Sequence, residues 1–260
     1  MKRDWTLCIV MVALVVLLGV VQLSQTPAPF IGIADQVARV RGAVVHVGKT
    51  GVCQGSGCII SSDGIIITAK HVSDGTYGEY AITLDDGRKF PVKYVVEDTE
   101  NDIAFMWLDL MGAEPNLPYV ELAQEDTLCV GDLVYLMGSP LGRGNFNSVS
   151  LGLLAAENRN LHDRPGWERN RKHSWHVMMQ HSAITEGGSS GGPVFNMCGE
   201  VVGIHVAAHN GLKFAVPVVR FRGTIDSVCA LFRQARFNVV PVEEPEQDQG
   251  DLWYNSRMGK

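Results

Sequence analysis

A glycine-rich run of ten residues, 185–194, constrains this chain more than any other segment. It places Ser190 in a turn that contains four glycines, directly before a Pro-Val-Phe run typical of a strand. A serine hydroxyl is a poor nucleophile at neutral pH, so it needs a base beside it and donors for an oxyanion. Glycine permits the backbone conformations that let several N–H groups face one point. The run therefore predicts a nucleophilic serine, and the alternative, a flexible Gly/Ser linker, does not fit its strand-like flanks.

Two further side chains stand where such a serine would find its partners. His71 follows the β-branched apolar run 65–69, and Asp102 directly precedes the apolar run 103–108. Both are expected strand ends, where loops carry functional groups on a rigid scaffold. A histidine base oriented by a buried aspartate activates serine, and the order His71, Asp102, Ser190 is one of those known for this triad.

Two choices within this site are made from local sequence. Asp98 is the alternative acid, but Asp102 is favoured because the apolar run that begins directly after it favours a buried carboxylate. The backbone N–H groups of Gly188 and Ser190 are the predicted oxyanion donors.

Several segments of the chain resemble the HtrA/Deg branch of the trypsin-like serine proteases. Three of them surround the predicted base, acid and nucleophile in the same order, and the similarity covers most of the chain from about Val40 to Pro217. The matching segments are 55–60, 63–72, 101–104, 130–142, 188–193 and 199–204. The resemblance implies a trypsin-like fold with the active site in the cleft between two barrels, His71 and Asp102 coming from the first and Ser190 from the second.

From Gln36 onwards, short apolar runs are broken by Gly, Asp and Asn, a pattern typical of an all-β chain of short strands. With the resemblance, we expect two six-stranded antiparallel β-barrels within a protease domain over 36–240. The first barrel is expected over about 36–115 and the second over about 126–240.

A C-terminal helix is predicted over 220–237, because apolar residues recur there at helical spacing. These residues are Phe221, Ile225, Val228, Leu231 and Phe232. After Val240 too few residues remain for the PDZ domain that members of this branch usually carry. The acidic segment 241–260 is predicted to be a disordered tail.

The N-terminal segment predicts a membrane helix. Two basic residues precede an apolar stretch over 5–21, which as a helix spans roughly 26 Å, close to the ~30 Å hydrocarbon core. We expect a signal anchor over 1–25, in the membrane through 5–23, and then a spacer over 26–35. The basic residues favour a cytoplasmic N-terminus and a protease domain on the extracytoplasmic side. Secretion after signal cleavage is the alternative.

The substrate specificity is predicted from the resemblance, which places the primary pocket near Ile184, Thr185 and Leu212. None of the three is acidic, so a lysine or arginine of the substrate would find no partner there. We expect cleavage after small or medium aliphatic residues. The segment Ile204, His205 and Val206 is expected to pair with an extended substrate as an added strand.

Composition narrows the function further. A net charge of −6 does not indicate nucleic-acid binding, and no spacing of cysteines and histidines matches a trusted metal site. We expect no cofactor and no metal, and a substrate that is an unfolded or extended protein or peptide. The resemblance also implies a homotrimer.

Three functions are compatible with the sequence. The first is a membrane-anchored serine endopeptidase acting in protein quality control or processing. The second is a non-catalytic peptide-binding module on the same fold, which has no use for a complete triad. The third is a dedicated protease that processes a single substrate.

Overall fold

The computed structural model describes residues 32–49, 54–73, 80–112, 114–124, 128–161 and 177–238. Within these residues the chain forms two α-helices and twelve β-strands. The helices are α1, Ile33–Val40, and α2, Val218–Asn238. The strands of the first half are β1, Val44–Lys49; β2, Gln54–Ile59; β3, Ile65–Ala69; β4, Tyr80–Thr83; β5, Lys89–Asp98; and β6, Ile103–Leu108. Those of the second half are β7, Leu133–Gly138; β8, Ser148–Arg159; β9, Met178–His181; β10, Pro193–Phe195; β11, Val201–His209; and β12, Leu212–Pro217.

The strands close into two antiparallel barrels. In barrel one the strand order is β1-β2-β3-β6-β5-β4, and β4 pairs back with β1. In barrel two the order is β10-β11-β12-β9-β8-β7, and β7 pairs back with β10. The predicted all-β fold with two six-stranded barrels and a C-terminal helix is therefore confirmed.

Helix α2, which follows the last strand, packs against one side of barrel one. All six residues of β6 are buried, because one face of the strand lines the barrel and the other meets the helix. The Trp107 and Phe232 rings stack at 5.5 Å between centroids, and Phe105 meets Phe221 edge-on at 6.4 Å. The helix thus packs against β6, the strand that begins directly after Asp102.

The predicted C-terminal helix is present as α2, and Leu231, one of its apolar residues, is 51% exposed. Helix α1, 33–40, lies before the first strand and has no counterpart among the predicted elements. Its buried residues, Gln36 and Val40, are four apart, which is one face of a helix.

The predicted signal anchor, 1–25, and the predicted tail, 241–260, lie outside the described residues. Among the residues that the structure does describe, no helix has both the length and the apolar character needed to cross a membrane.

Candidate active site

The strand register brings His71 and Asp102 to the same end of barrel one. Strands β3 and β6 are neighbours, and Ala69 at the end of β3 pairs with Ile103 at the start of β6. His71 follows β3 in a 3₁₀ turn, Lys70–Val72. Its Nδ1 lies 2.8 Å from Asp102 Oδ2, and its backbone N–H donates to Asp102 Oδ1 at 3.1 Å. Asp102 is 1% exposed, while the His71 side chain is 42% exposed, so the pair runs from the core to the surface.

The backbone at Asp102 holds this geometry. Its φ of +54° is in the left-handed region, which aspartate tolerates better than most residues. The Asp102 carbonyl oxygen accepts a hydrogen bond from the Lys70 N–H at 2.8 Å, which fixes the turn on both sides of the pair. The alternative acid, Asp98, is engaged elsewhere, because its carboxylate accepts hydrogen bonds from Asn101 and Thr224.

Ser190 lies in a turn that is held by both barrels. Its carbonyl oxygen accepts a hydrogen bond from the Ser56 N–H in β2 at 2.8 Å. The next residue, Gly191, donates to the His205 carbonyl in β11 at 2.7 Å, and the His205 N–H donates to Gly192 at 2.9 Å. Ser190 itself is half-buried, so it is still accessible from solvent.

Gly191 allows the turn to approach the strand that leads to His71. A Cβ at this position would overlap the Ser56 carbonyl oxygen and the Thr68 hydroxyl, and would lie 2.9 Å from the Ala69 backbone nitrogen. Its φ of +83° is a second reason why only glycine fits. Ala69 precedes His71 by two residues, so Ser190 is brought to the end of β3 from which His71 projects.

The peptide units before Ser190 are oriented by their carbonyl groups. The Gly187 carbonyl accepts from the Leu141 N–H at 2.6 Å, and the Ser189 carbonyl accepts from the Gly192 N–H at 2.9 Å. In a trans peptide the N–H points opposite to the carbonyl, so the N–H groups of Gly188 and Ser190 point away from these partners. Within the described part of the chain, neither N–H donates to another backbone group. Both remain available to an oxyanion.

Ser56 is a positioning residue that sequence reasoning missed. Its hydroxyl donates to the Gly188 carbonyl at 2.8 Å and accepts from the Ser139 N–H at 2.8 Å. The signal was its place between Gly55 and Gly57, where a Cβ would collide with Val72 or with the backbone of β3. A serine between two such glycines lies at a close contact between chain segments.

The three residues predicted to determine specificity differ in their exposure to solvent. Ile184 is 74% exposed, so it borders solvent and does not form the floor of an enclosed cavity. Thr185 is buried and Leu212 is half-buried.

The strand predicted to pair with substrate has buried side chains. The side chains of Ile204, His205 and Val206 are all buried, at 0%, 2% and 3% exposure. Only the backbone of this segment can meet a substrate, because each of the three side chains packs into the protein.

Two buried histidines lie behind the turn. His181 Nε2 and His205 Nδ1 are 3.2 Å apart. Burial, and then the Lys213 ammonium, lowers the pKa of His181 to about 4. Burial also holds the pKa of His205 well below its ordinary value, with smaller contributions from His181, His71 and Lys213. Both rings are therefore neutral at neutral pH. In the described ranges, no group of His, Cys, Asp or Glu is arranged to hold a metal ion.

Comparison with known proteins agrees with this geometry. The model of the trypsin-like peptidase domain matches residues 55–204, more than half of the chain. A curated protein of Rhizobium meliloti named "Probable periplasmic serine endoprotease DegP-like" is 32% identical over 67% of this chain and 33% of its own length. Its namesake in Halomonas elongata is 36% identical over 63% of this chain and 32% of its own. The chain thus spans about a third of the length of these relatives.

The solved structures lead to the same family. The structure of the HtrA-type protease AlgW with a tripeptide superposes with a TM-score of 0.65 at 27% identity, covering 76% of this chain and 64% of that one. The chain therefore belongs to the trypsin-like peptidase family, and within it is similar to DegP-like and HtrA-type serine endoproteases.

Proposed function

We propose that the chain hydrolyses peptide bonds through an acyl-enzyme formed on Ser190. The observation that carries the proposal is the His71–Asp102 pair, 2.8 Å apart, at the end of β3 against which the Ser190 turn docks. In this mechanism His71 accepts the hydroxyl proton as Ser190 attacks the scissile carbonyl. It then returns the proton to the leaving amine.

Asp102 orients the imidazole in this proposal. It holds the Nδ1–H, which leaves Nε2 as the base, and it stabilises the imidazolium that forms during attack. The tetrahedral oxyanion is bound by the N–H groups of Gly188 and Ser190, whose orientation by neighbouring carbonyls needs no rearrangement during the reaction.

An extended peptide is the substrate that the edge of β11 favours. Strand β10 pairs with β11 only as far as Ile204, and His205 bonds to Gly191 and Gly192, whereas β11 continues to His209. Beyond His205, β12 is the one strand partner of β11 in the described ranges. The free side of this segment can therefore pair with a substrate strand that leads to Ser190. This role needs only the backbone of β11 and is compatible with its buried side chains.

The setting is proposed from the relatives and the N-terminal sequence. The relatives are named as periplasmic endoproteases, which supports an extracytoplasmic protease domain here. Anchoring through 1–25 is part of the proposal. A carbonate wash of membranes tests it, since an anchored protein stays with the membrane and a cleaved one is released.

Hydrolysis of unfolded casein by wild type and Ser190→Ala tests the activity. The variant should lose peptidase activity and its reaction with a fluorophosphonate probe, while its melting temperature stays within a degree or two of wild type. Ser62→Ala is the matched control, because Ser62 is an exposed serine of barrel one, away from the Ser190 turn. A wild-type protein that neither cleaves casein nor reacts with the probe would support the binding-module alternative.

A further inference from the structure

One face of barrel two carries a row of polar side chains across three strands. Lys213 in β12 pairs with His181 in β9 on one side and with Ala208 in β11 on the other. Directly paired residues of antiparallel strands point to the same face of a sheet. His205 pairs with Ala215, two residues along from Lys213, so it shares this face as well.

The row leads from the barrel core to the surface. Ala215 is fully buried in the core of barrel two, and His181 and His205 are each 2% exposed. Lys213 is half-buried, and Ala208 is exposed. The polar side chains therefore lie at the end of the barrel interior next to the turn that joins β11 and β12.

This end of the barrel is positively charged. The two histidines are neutral because burial lowers their pKa, and the charge comes from Lys213, which contributes to both shifts. No carboxylate in the described ranges lies within ion-pair distance of the Lys213 ammonium. His181 Nδ1 is buried and has no hydrogen-bond partner among the described residues. A half-buried cation and an unpartnered polar nitrogen favour a ligand that carries negative charge.

The charged end lies beside the catalytic turn. The His205 carbonyl accepts from Gly191, and its N–H donates to Gly192, so the strand that carries His205 touches the residues directly after Ser190. His71 also contributes to the lowered pKa of His205. In the proposed complex, the scissile carbonyl lies at Ser190 and the substrate backbone follows β11. The side chain of the substrate residue directly before the scissile bond would then point towards Lys213.

We propose that Lys213 determines specificity and that the protease prefers an acidic residue, aspartate or glutamate, directly before the scissile bond. This inference rests on the proposed function and names the substrate class of the same site. The expected aliphatic preference was based on Ile184 and Leu212. Ile184 is exposed, and Lys213 was not considered because only the strand pairing brings it to this end of the barrel.

The test uses peptides that differ only in the residue before the cut: Glu, Asp, Gln, Ala, Val or Lys. For wild type, kcat/KM should be at least about 10-fold higher for Glu or Asp than for Gln, the lower end of what a hydrogen bond to a charged group contributes. Lys213→Met should remove this advantage and change the Gln and Ala peptides by less than about 3-fold. Lys213→Arg should retain it.

Lys89→Met is the matched control, because Lys89 is an exposed lysine of barrel one and its loss should leave the profile unchanged.

Labelling by a fluorophosphonate probe separates the proposed specificity from the proposed activity, because the probe carries no acidic side chain. A labelled wild type that cleaves Gln or Val peptides as fast as Glu peptides would overturn the role of Lys213 alone, whereas an unlabelled wild type would overturn the proposed activity. If Lys213→Met does not react with the probe, the peptide series is measured with Lys213→Gln instead. A labelled variant that keeps the acidic preference would also overturn the inference.

Discussion

The Ser56 hydroxyl donates a hydrogen bond to the Gly188 carbonyl across the junction of the two barrels, at 2.8 Å. Ser56 belongs to β2 of barrel one, whereas Gly188 belongs to the turn of barrel two that carries Ser190. The same hydroxyl accepts from the Ser139 N–H, so one side chain connects the turn with the loop after β7. Docking of the barrels thereby fixes the Gly188–Ser189 peptide, which lies between the two N–H groups proposed to bind the oxyanion.

Ser56→Ala should lower kcat by roughly 10- to 10²-fold with little change in KM, below the ~10²–10³-fold cost of losing a donor outright. The reason is that the Gly188–Ser189 peptide, which lies between the two proposed donors, loses the bond that holds its carbonyl. Steady-state peptide hydrolysis measures this. Ser61→Ala is the control, because the Ser61 hydroxyl also accepts a backbone hydrogen bond, from Ile65, but within barrel one. Equal losses of kcat in both variants would show that Ser56 acts only through stability.

Asp102→Asn should lower kcat by about 10³- to 10⁴-fold, because an amide no longer holds the His71 tautomer or stabilises the imidazolium. Asparagine also tolerates the positive φ at this position, so the fold should persist. Asp98→Asn is the matched control, since the Asp98 carboxylate bonds to Asn101 and Thr224 and not to His71. Peptide hydrolysis and circular dichroism of the three proteins check both statements. A larger loss from Asp98→Asn would mean that the orienting acid is misassigned.

Local sequence predicted the strands best where apolar runs have sharp ends. The bounds predicted for β6, 103–108, are those observed, because Asp102 ends the preceding turn and all six residues are apolar and buried. Strand β8 runs from Ser148 to Arg159, and its last three residues, Glu157, Asn158 and Arg159, are polar and exposed, so no apolar run marks where it ends.

The parts of the site that sequence reasoning missed depend on contacts between distant segments. His71 and Asp102 were predicted because each stands at the end of a strand within a recognisable motif. The roles of Ser56 and Lys213 follow from barrel docking and from the register of β9 with β12. The flanking glycines of Ser56 indicate a close contact but not its partner, and no spacing along the chain brings Lys213 to His181.

Gly191→Ala should reduce stability by about 2–4 kcal/mol, since the new Cβ meets backbone atoms of β2 and β3 and the φ is left-handed. The control is Gly187→Ala in the same turn, where a Cβ meets nothing within 4 Å and no positive φ is required. Urea denaturation compares the two variants with wild type. Equal stability of the two would show that the turn does not dock against β3 as described.

His181 should make the folded state less stable in acid. Its pKa is about 4 in the folded protein because of burial and Lys213, against 6.5 for an ordinary histidine. Between these values the unfolded chain binds a proton that the folded one does not, so stability falls as the pH decreases from about 6.5 to about 4. At about 1.4 kcal/mol per pKa unit, the full effect over these 2.5 units is roughly 3.5 kcal/mol.

His181→Gln removes the titrating group but keeps a side chain that can hydrogen-bond to His205. The free energy of unfolding, measured in urea at pH 7.5, 6.0 and 5.0, should therefore decrease less steeply with acid in the variant than in wild type. Part of the slope should remain, because His205 is also buried and its pKa is lowered. Identical slopes would mean that His181 is protonated in the folded protein over this range. In that case the Lys213 end of barrel two would carry a second positive charge in mild acid, and the acidic preference proposed for the site should strengthen as the pH falls towards 5.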